Sequence, residues 1–399
     1  VCGPIVTLIS SFAFLVGIGG APLMAIRMGE DNQEGAQKIL ANCFVMLLAL
    51  SAALTGLAIA FREPMLMFFG ASEQTFPYAN SYLTYYVMGT VFAILTAGLN
   101  QFITCQGFAN EAMLTTIIGA VMNIILDPIF IFALDMGVTG AAIATVAGQI
   151  LAMLYAVYVM VRKEHAVHIT FKGFHFSGAI VRDIFQVGFP SIIMQSIGSI
   201  MIMALNNILI VFSQAAVAVL GVYFKLQSFV FMPVFGLGAG ALPIMGFNYG
   251  ARNKKRLMHT LQLTCAIAFG IMLVGLLIFQ FGARYLLMMF NASADMMDIG
   301  ISALRTISLC FPAAGLGIAF SNFFQAIGEG KNSLLISVLR QLVILLPCAW
   351  IISRIGTLNQ VWLAFPIAEV FSFFVSLLLT RITYNNKIKE MEDFTTDED

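Results

Sequence analysis

Residues 17–29 read GIGGAPLMAIRMG, and residues 238–250 read GAGALPIMGFNYG. At a shift of 221 positions, Gly17, Gly19, Pro22 and Gly29 fall on Gly238, Gly240, Pro243 and Gly250. The same shift brings NQFITCQGFANEAM (100–113) onto SNFFQAIGEGKNSL (321–334), matching Phe102 with Phe323 and Gly107 with Gly328. Near the end, AAIATVAGQ (141–149) meets VWLAFPIAE (361–369) at 220. Three blocks at nearly one shift make the chain one structural unit written twice.

Composition says what kind of unit it is. Of 399 residues, 60% are hydrophobic and 10% charged, with a mean hydropathy of +0.93. A soluble domain carries about 25% charged residues, so an ordinary globular protein is excluded. Apolar runs long enough for a roughly 30 Å hydrocarbon core cover about 5–26, 39–60, 82–106, 112–134, 138–161, 185–211, 215–246, 258–281, 300–327, 333–353 and 359–380. They are continuous rather than alternating, which predicts eleven helices of an all-α polytopic membrane protein. Doubled helical units of this kind are typical of secondary transporters, whose sites form where the repeats meet.

The repeat divides the chain into an N-terminal lobe (1–161), an inter-lobe loop (162–184), a C-terminal lobe (185–380) and an acidic tail (381–399). Span 185–211, moved back by 221, falls before residue 1, and the chain starts with Val1. One helix, about 40 residues, is therefore expected ahead of this sequence, giving two pseudo-symmetric six-helix lobes.

Loop charge orients the chain. Arg27, Lys38, Arg162, Lys163, Lys172, Arg182, Arg252, Lys254, Lys255, Arg256, Lys331, Arg381, Lys387 and Lys389 lie in one alternate set of loops. Arg62, Arg284 and Arg354 lie in the other. The basic set faces the cytoplasm, which predicts a cytoplasmic C-terminus. The last ten residues, EMEDFTTDED, read as a disordered tail. Six scattered cysteines without a CxxC pair read as small buried hydrophobes. His165, His168 and His175 share the 162–183 segment with no Cys or carboxylate at ligand spacing, and read as a solvated loop.

Against this apolar background the embedded polar residues carry the function. An ionised Asp at a helix centre costs about 2.5–3.5 kcal/mol on insertion scales, so Asp127 needs a partner, a proton or a wet cavity. Asn123 lies one turn away on the same face. Pro128 has no N–H, which frees the carbonyl of Ile124. The spans on either side turn near Met136, with Asp127 nine residues before it and Thr145 nine after. Both then sit about 13 Å from the turn, near the bilayer midplane. Asn123, Asp127 and Thr145 thus offer oxygens to one small cation, or a cage that keeps Asp127 protonated. The alternative is that Asp127 caps a broken helix or pins a helix pair.

A second set repeats between halves. Asn100, Gln101 and Thr104 correspond to Ser321, Asn322 and Gln325. Each set makes a polar stripe, suited to a wet substrate cavity or to helix–helix hydrogen bonds. Lys225, Arg340 and Glu369 are ionisable and deep in the second half, as functional groups or as a structural ion pair. Some of the 36 Phe and 23 Met should line any cavity, since thioethers and aromatic faces suit apolar cations.

At these residues the sequence resembles the multidrug and toxic compound extrusion (MATE) transporters. The resemblance rests on GIGGAPLMAIRMGEDNQEGAQK, NIILDPIFIFALDMGVTGAAIAT, FMPVFGLGAGALPIMGFNYGARN and VWLAFPIAE, and runs along the whole chain. It implies a twelve-helix, two-lobed antiporter that exports organic cations or drugs against sodium ions or protons. No cofactor is implied beyond that transported ion. The implied partners are membrane lipids and small organic cations or drugs, with no nucleic acid, in a monomer. The implied location is the inner membrane of a bacterium. In many bacterial members an N-lobe cation site uses an Asn and an Asp four apart and a Thr on the next helix, matching Asn123, Asp127 and Thr145. A further carboxylate on the first helix would precede residue 1. Some members carry an acidic residue on the seventh helix; here GFPSIIMQSIGS (188–199) offers Gln195, which places Gln195 with the substrate residues and speaks against a second-lobe cation site of that kind.

Two other classes compete. A lipid-linked glycan flippase of the same architecture would need several embedded cations for a pyrophosphate, and few are present. An intramembrane enzyme would need a nucleophile–base or metal constellation, and the sequence has no HExxH, no serine elbow and no embedded His.

Overall fold

The computed structural model describes residues 2–68, 71–162, 166–170 and 174–391, apart from the side chains of Gly3, Pro4 and Gln195. Among these residues every regular element is helical. Among the described residues nine helices are long and apolar enough to span a membrane, and up to eleven spans result when each of two bent pairs is counted as one.

The chain forms two compact units, Val1–Ile192 and Ile193–Asp399. The first contains α1 (Gly3–Gly29), α2 (Gln33–Ala60), the short α3 (Arg62–Phe68), α4 (Phe76–Met88), α5 (Thr90–Cys105), α6 (Ala109–Pro128) and α7 (Gly137–Arg162). It also holds the first half of α8 (Gly178–Leu209). The second continues with α9 (Gln214–Gly250), α10 (Lys254–Met288), α11 (Ala294–Ser308), α12 (Phe311–Ala326), α13 (Gly330–Val338), α14 (Leu346–Ile355), α15 (Leu358–Val361) and α16 (Ala364–Thr383).

The offset of 221 reappears as local structure. Asn32 caps α2 by accepting from Gly35 N at 2.8 Å, and Asn253 caps α10 by accepting from Arg256 N at 2.9 Å. Each follows a non-glycine residue in the left-handed region, Asp31 at φ 57° and Arg252 at φ 54°. The turns after α5 and α12 use Gly107 at φ 89° and Gly328 at φ 79°, where a Cβ would be strained. Helices α5 and α12 begin and end 221 residues apart. The bends before them are alike, 54° between α4 and α5 and 49° between α11 and α12. Spans 82–106 and 300–327, expected to be continuous, are therefore each broken. The cause is local: α4 stops at Gly89, and Pro312 in the first turn of α12 cannot continue α11.

Exposed apolar surface locates the bilayer. From Thr116 to Ala133 no residue is buried, yet the segment is almost wholly apolar, with Ile124 69% and Phe132 80% exposed. Such a surface is stable only against lipid. The cores inside the two units are conventional, with Leu40, Leu47 and Phe102 in the first and Tyr223, Phe311 and Trp362 in the second, all 2% exposed or less.

Two expected boundaries move. Helix α8 starts at Gly178, not at 185, because Ile184 and Val187 are buried in the first unit. It approaches α1 at backbone distance, where a Cβ on Gly19 would stand 3.1 Å from Gly188 Cα. The division between units thus falls inside α8 rather than in the 162–184 loop. At the other end, helical structure continues past residue 380 to Thr383 and, with wider turns, over Tyr384–Ile388. Lys387 Nζ lies 2.6 Å from Glu329 Oε1, Thr383 donates to Glu329 Oε2 at 3.3 Å, and Ile388 is fully buried. Residues 392–399 of the acidic tail, and His165 of the loop, lie outside the described residues.

Candidate functional site

The hairpin of α6 and α7 is built for close approach. A Cβ on Gly148 would meet Gly119 O at 2.8 Å, and Gly140 faces the Phe130 backbone in the same way at 2.7 Å. The connection turns through Asp135 and Gly137, both at positive φ, around Met136. Removing side chains along this seam lets polar groups on the two helices touch.

They do touch. Asn123 Nδ2 donates to Asp127 Oδ1 at 3.3 Å, one turn along α6, and to Thr145 Oγ1 on α7 at 3.2 Å. Thr145 in turn donates to Ala141 O at 2.9 Å. All three side chains are half-buried. Pro128 has no N–H to return to Ile124 O, and beyond it the helix widens, with Leu134 N bonded to Ile129 O at 2.9 Å. A widened turn is a frequent companion of functional sites.

Tyr82 of α4 stands beside Thr145, near this cluster. The neighbouring Ser81 bonds Thr139 on α7 at 2.6 Å and fixes the approach of α4. Nothing in the spacing of Tyr82 links it to α7, so sequence reasoning misses it. Among the described residues no three His, Cys, Asp or Glu side chains gather as a metal site. Any cation here would be held by amide, hydroxyl and carboxylate oxygens around a single acid.

The polar stripes have mixed fates. Thr115 donates to Asn100 Oδ1 at 2.7 Å, and Thr104 spends its hydroxyl on Asn100 O at 2.8 Å. Gln101 packs on Gly17, where a Cβ would stand 2.7 Å from its Cγ; Asn322 fills the matching space at Gly238. Ser321 pairs with Ser333. Gln325 departs from the cavity expectation: it is 8% exposed and donates to Ser333 at 3.1 Å, inside the α12–α13 packing. The side chain of Gln195 lies outside the described residues.

Of the three deep ionisable residues, Arg340 and Glu369 form a half-buried ion pair at 3.6 Å. Lys225 is exposed on α9 and takes no part in it, because the register of α9 turns it away from the core that Tyr223 and Leu226 enter.

Comparison with known proteins agrees with this architecture. The MatE family model matches residues 1–129 and 190–351, two stretches that follow the repeat. The chain is 24% identical over 376 residues to the multidrug export protein MepA of Staphylococcus haemolyticus, covering 94% of this chain and 83% of that protein. It is 23% identical over 377 residues to MepA of Staphylococcus aureus, with the same coverage. Among solved structures, a MATE transporter crystallised in a bent conformation superposes with a TM-score of 0.92 at 29% identity, covering 97% of this chain and 87% of that one. A MOP superfamily transporter from Pyrococcus furiosus gives 0.91 at the same identity and coverage. With a glycine-seamed hairpin, a doubled set of caps and turns, and family matches in both halves, the chain belongs to the MATE family of membrane transporters.

Proposed function

We propose that this protein is a secondary active antiporter of a bacterial plasma membrane, exporting organic cations and drug-like compounds in exchange for sodium ions or protons. The carrying observation is the Asn123–Asp127–Thr145 cluster, a lone carboxylate in an apolar helix hydrogen-bonded through one amide to the next helix. The names of the relatives, multidrug export proteins, support the substrate class.

An antiporter must hold its ion differently in two states, since a ligand shifts an equilibrium only by its differential affinity. Asp127 can supply that difference. When it is charged, the Asn123 amide N–H and a bound cation stabilise it; when it is protonated, the local helix has one charge fewer. Pro128 and the widened turn behind it give that change a flexible stretch of helix to act on. Asn100, Gln101 and Thr104 in the first unit and Ser321 and Asn322 in the second are polar groups available to substrate within each unit, and the protein works as a monomer with a cytoplasmic C-terminus.

Proteoliposomes carrying the protein test this reading. Export of a fluorescent organic cation should follow an imposed sodium gradient or an imposed pH gradient, applied separately. Export that ignores both gradients contradicts antiport. A lipid-linked glycan flippase is disfavoured because Arg340, already paired with Glu369, is the cation in the described cavity of the second unit.

A further inference from the structure

Within the second unit, α8, α9, α16 and the widened turn Leu339–Leu345 line an open-sided cavity of about 380 Å³. That falls in the range of roughly 300–1,000 Å³ usual for small-molecule sites. Its walls are aromatic. Tyr223 meets Phe365 edge-on at 5.8 Å, and Phe231 meets Phe311 edge-on at 5.3 Å. Phe235 and Met232 remain 56% and 69% exposed beside them. Of the polar groups in this wall, Ser228 donates to Phe224 O at 2.9 Å, whereas Arg340, Glu369 and Gln227 are less fully engaged.

Arg340 and Glu369 both line the cavity. Their closest approach is 3.6 Å, well beyond the roughly 2.7–2.9 Å of a closed charge-assisted hydrogen bond. In surroundings this apolar, an ion pair kept only for structure gains most by closing fully. A guanidinium also carries five donors, and this pair engages one nitrogen. Gln227, a turn beyond Tyr223 on the same wall, has a buried Oε1 with no donor among the described residues. Buried acceptors are rarely left so. The cavity thus presents one loosely closed ion pair and one buried acceptor without a donor among the described residues, between aromatic and thioether side chains.

We infer that this cavity is a binding site for zwitterionic aromatic compounds, with the ligand carboxylate on Arg340 and its ammonium between Glu369 and Gln227 Oε1. A zwitterion that enters the pair gives each protein charge a new partner, so no buried charge is left uncompensated. A purely cationic or purely anionic ligand frees one side and leaves it unpaired in an apolar wall, which is costly. The ligand N–H also satisfies the orphan oxygen of Gln227. The inference rests on the reading of this chain as an exporter of drug-like compounds, and adds a second, chemically distinct site to it.

The test is equilibrium binding to the purified protein in detergent micelles, without any ion gradient. Three probes share one fluorophore: dansyl-lysine labelled on its side chain is zwitterionic, dansylcadaverine cationic, and dansyl-aminohexanoic acid anionic. The zwitterion should bind at least about tenfold tighter than either other probe, a difference of about 1.4 kcal/mol. Arg340→Gln and Glu369→Gln should each erase that preference. Gln227→Leu should bind the zwitterion several-fold more weakly while melting no lower than the wild type, because it removes a buried unpaired acceptor. Equal affinity for the three probes overturns the inference, as does unchanged zwitterion binding by folded Gln227→Leu. Gradient-driven cation export without a zwitterion preference would remove this site and leave the antiport reading intact. Zwitterion binding without gradient-driven export would do the reverse.

Discussion

Gly148 stands so close to Gly119 that a Cβ on it would lie 2.8 Å from the Gly119 carbonyl oxygen. This contact sets the spacing of α6 and α7, and so the reach of Asn123 across to Thr145. Backbone cannot yield as a side chain does. Gly148→Val should push the helices apart, cost about 1–3 kcal/mol as overpacking, and lower gradient-driven export about tenfold or more. Thermal melts and export assays on Gly148→Ala and Gly148→Val would check the order, with Val the worse; equal behaviour of both variants and the wild type would contradict it.

The repeated glycine–amide contacts make a second prediction. Gly17 is filled by Gln101 and Gly238 by Asn322. Gly17→Ala should destabilise the protein, and Gln101→Ala in the same chain should recover much of the loss. Contacting residues couple by about 0.5–3 kcal/mol in such cycles. The cycle at Gly238 and Asn322 should show coupling of the same sign. Additive melting shifts in both cycles would deny the contacts their role.

Much of this was legible because the repeat demands it. Gly107 and Gly328 had to match since both hold positive φ, whereas the matched caps Asn32 and Asn253 emerged only with the structure. The i, i+4 spacing of Asn123 and Asp127 and the count from Met136 to Thr145 put three side chains together before any coordinates. Other features depend on tertiary contact. Tyr82 stands near the cluster because α4 packs on α7, helices distant in sequence that are also bonded through Ser81 and Thr139. Helix α8 starts early because Ile184 and Gly188 have a partner in α1, and its Arg182 and Asp183 disguised that segment as loop. The broken spans looked continuous because hydropathy does not register a bend. Gln325 looked like a cavity residue because a polar stripe reads alike whether it faces water or Ser333.

At the far end of the second unit, Glu329 gathers Lys387 at 2.6 Å, Asn332 at 2.5 Å and Thr383 at 3.3 Å. Lys387 is about half exposed, so its pair with Glu329 alone is worth at most about 1 kcal/mol. Glu329→Gln, which weakens all three contacts, should release the Tyr384–Ile388 turn more than Lys387→Ala does. Amide hydrogen exchange over 384–388 should accelerate several-fold in Glu329→Gln and less in Lys387→Ala. Identical protection in both variants and the wild type would show that burial of Ile388 holds this turn by itself.

The central claim is that Asp127 couples export to an ion gradient. Asp127→Asn keeps the side-chain shape and a hydrogen-bonding group for Asn123 but removes the charge that exchanges its ion. Each 1.4 kcal/mol of lost differential binding moves a two-state equilibrium about tenfold. The decisive measurement is gradient-driven export by Asp127→Asn in proteoliposomes, beside its equilibrium binding of the exported compound. Asp127→Asn should fold, still bind the compound, and no longer accumulate it against a gradient. Undiminished gradient-driven export by Asp127→Asn would contradict this coupling role and leave Asp127 a residue that pins α6 to α7.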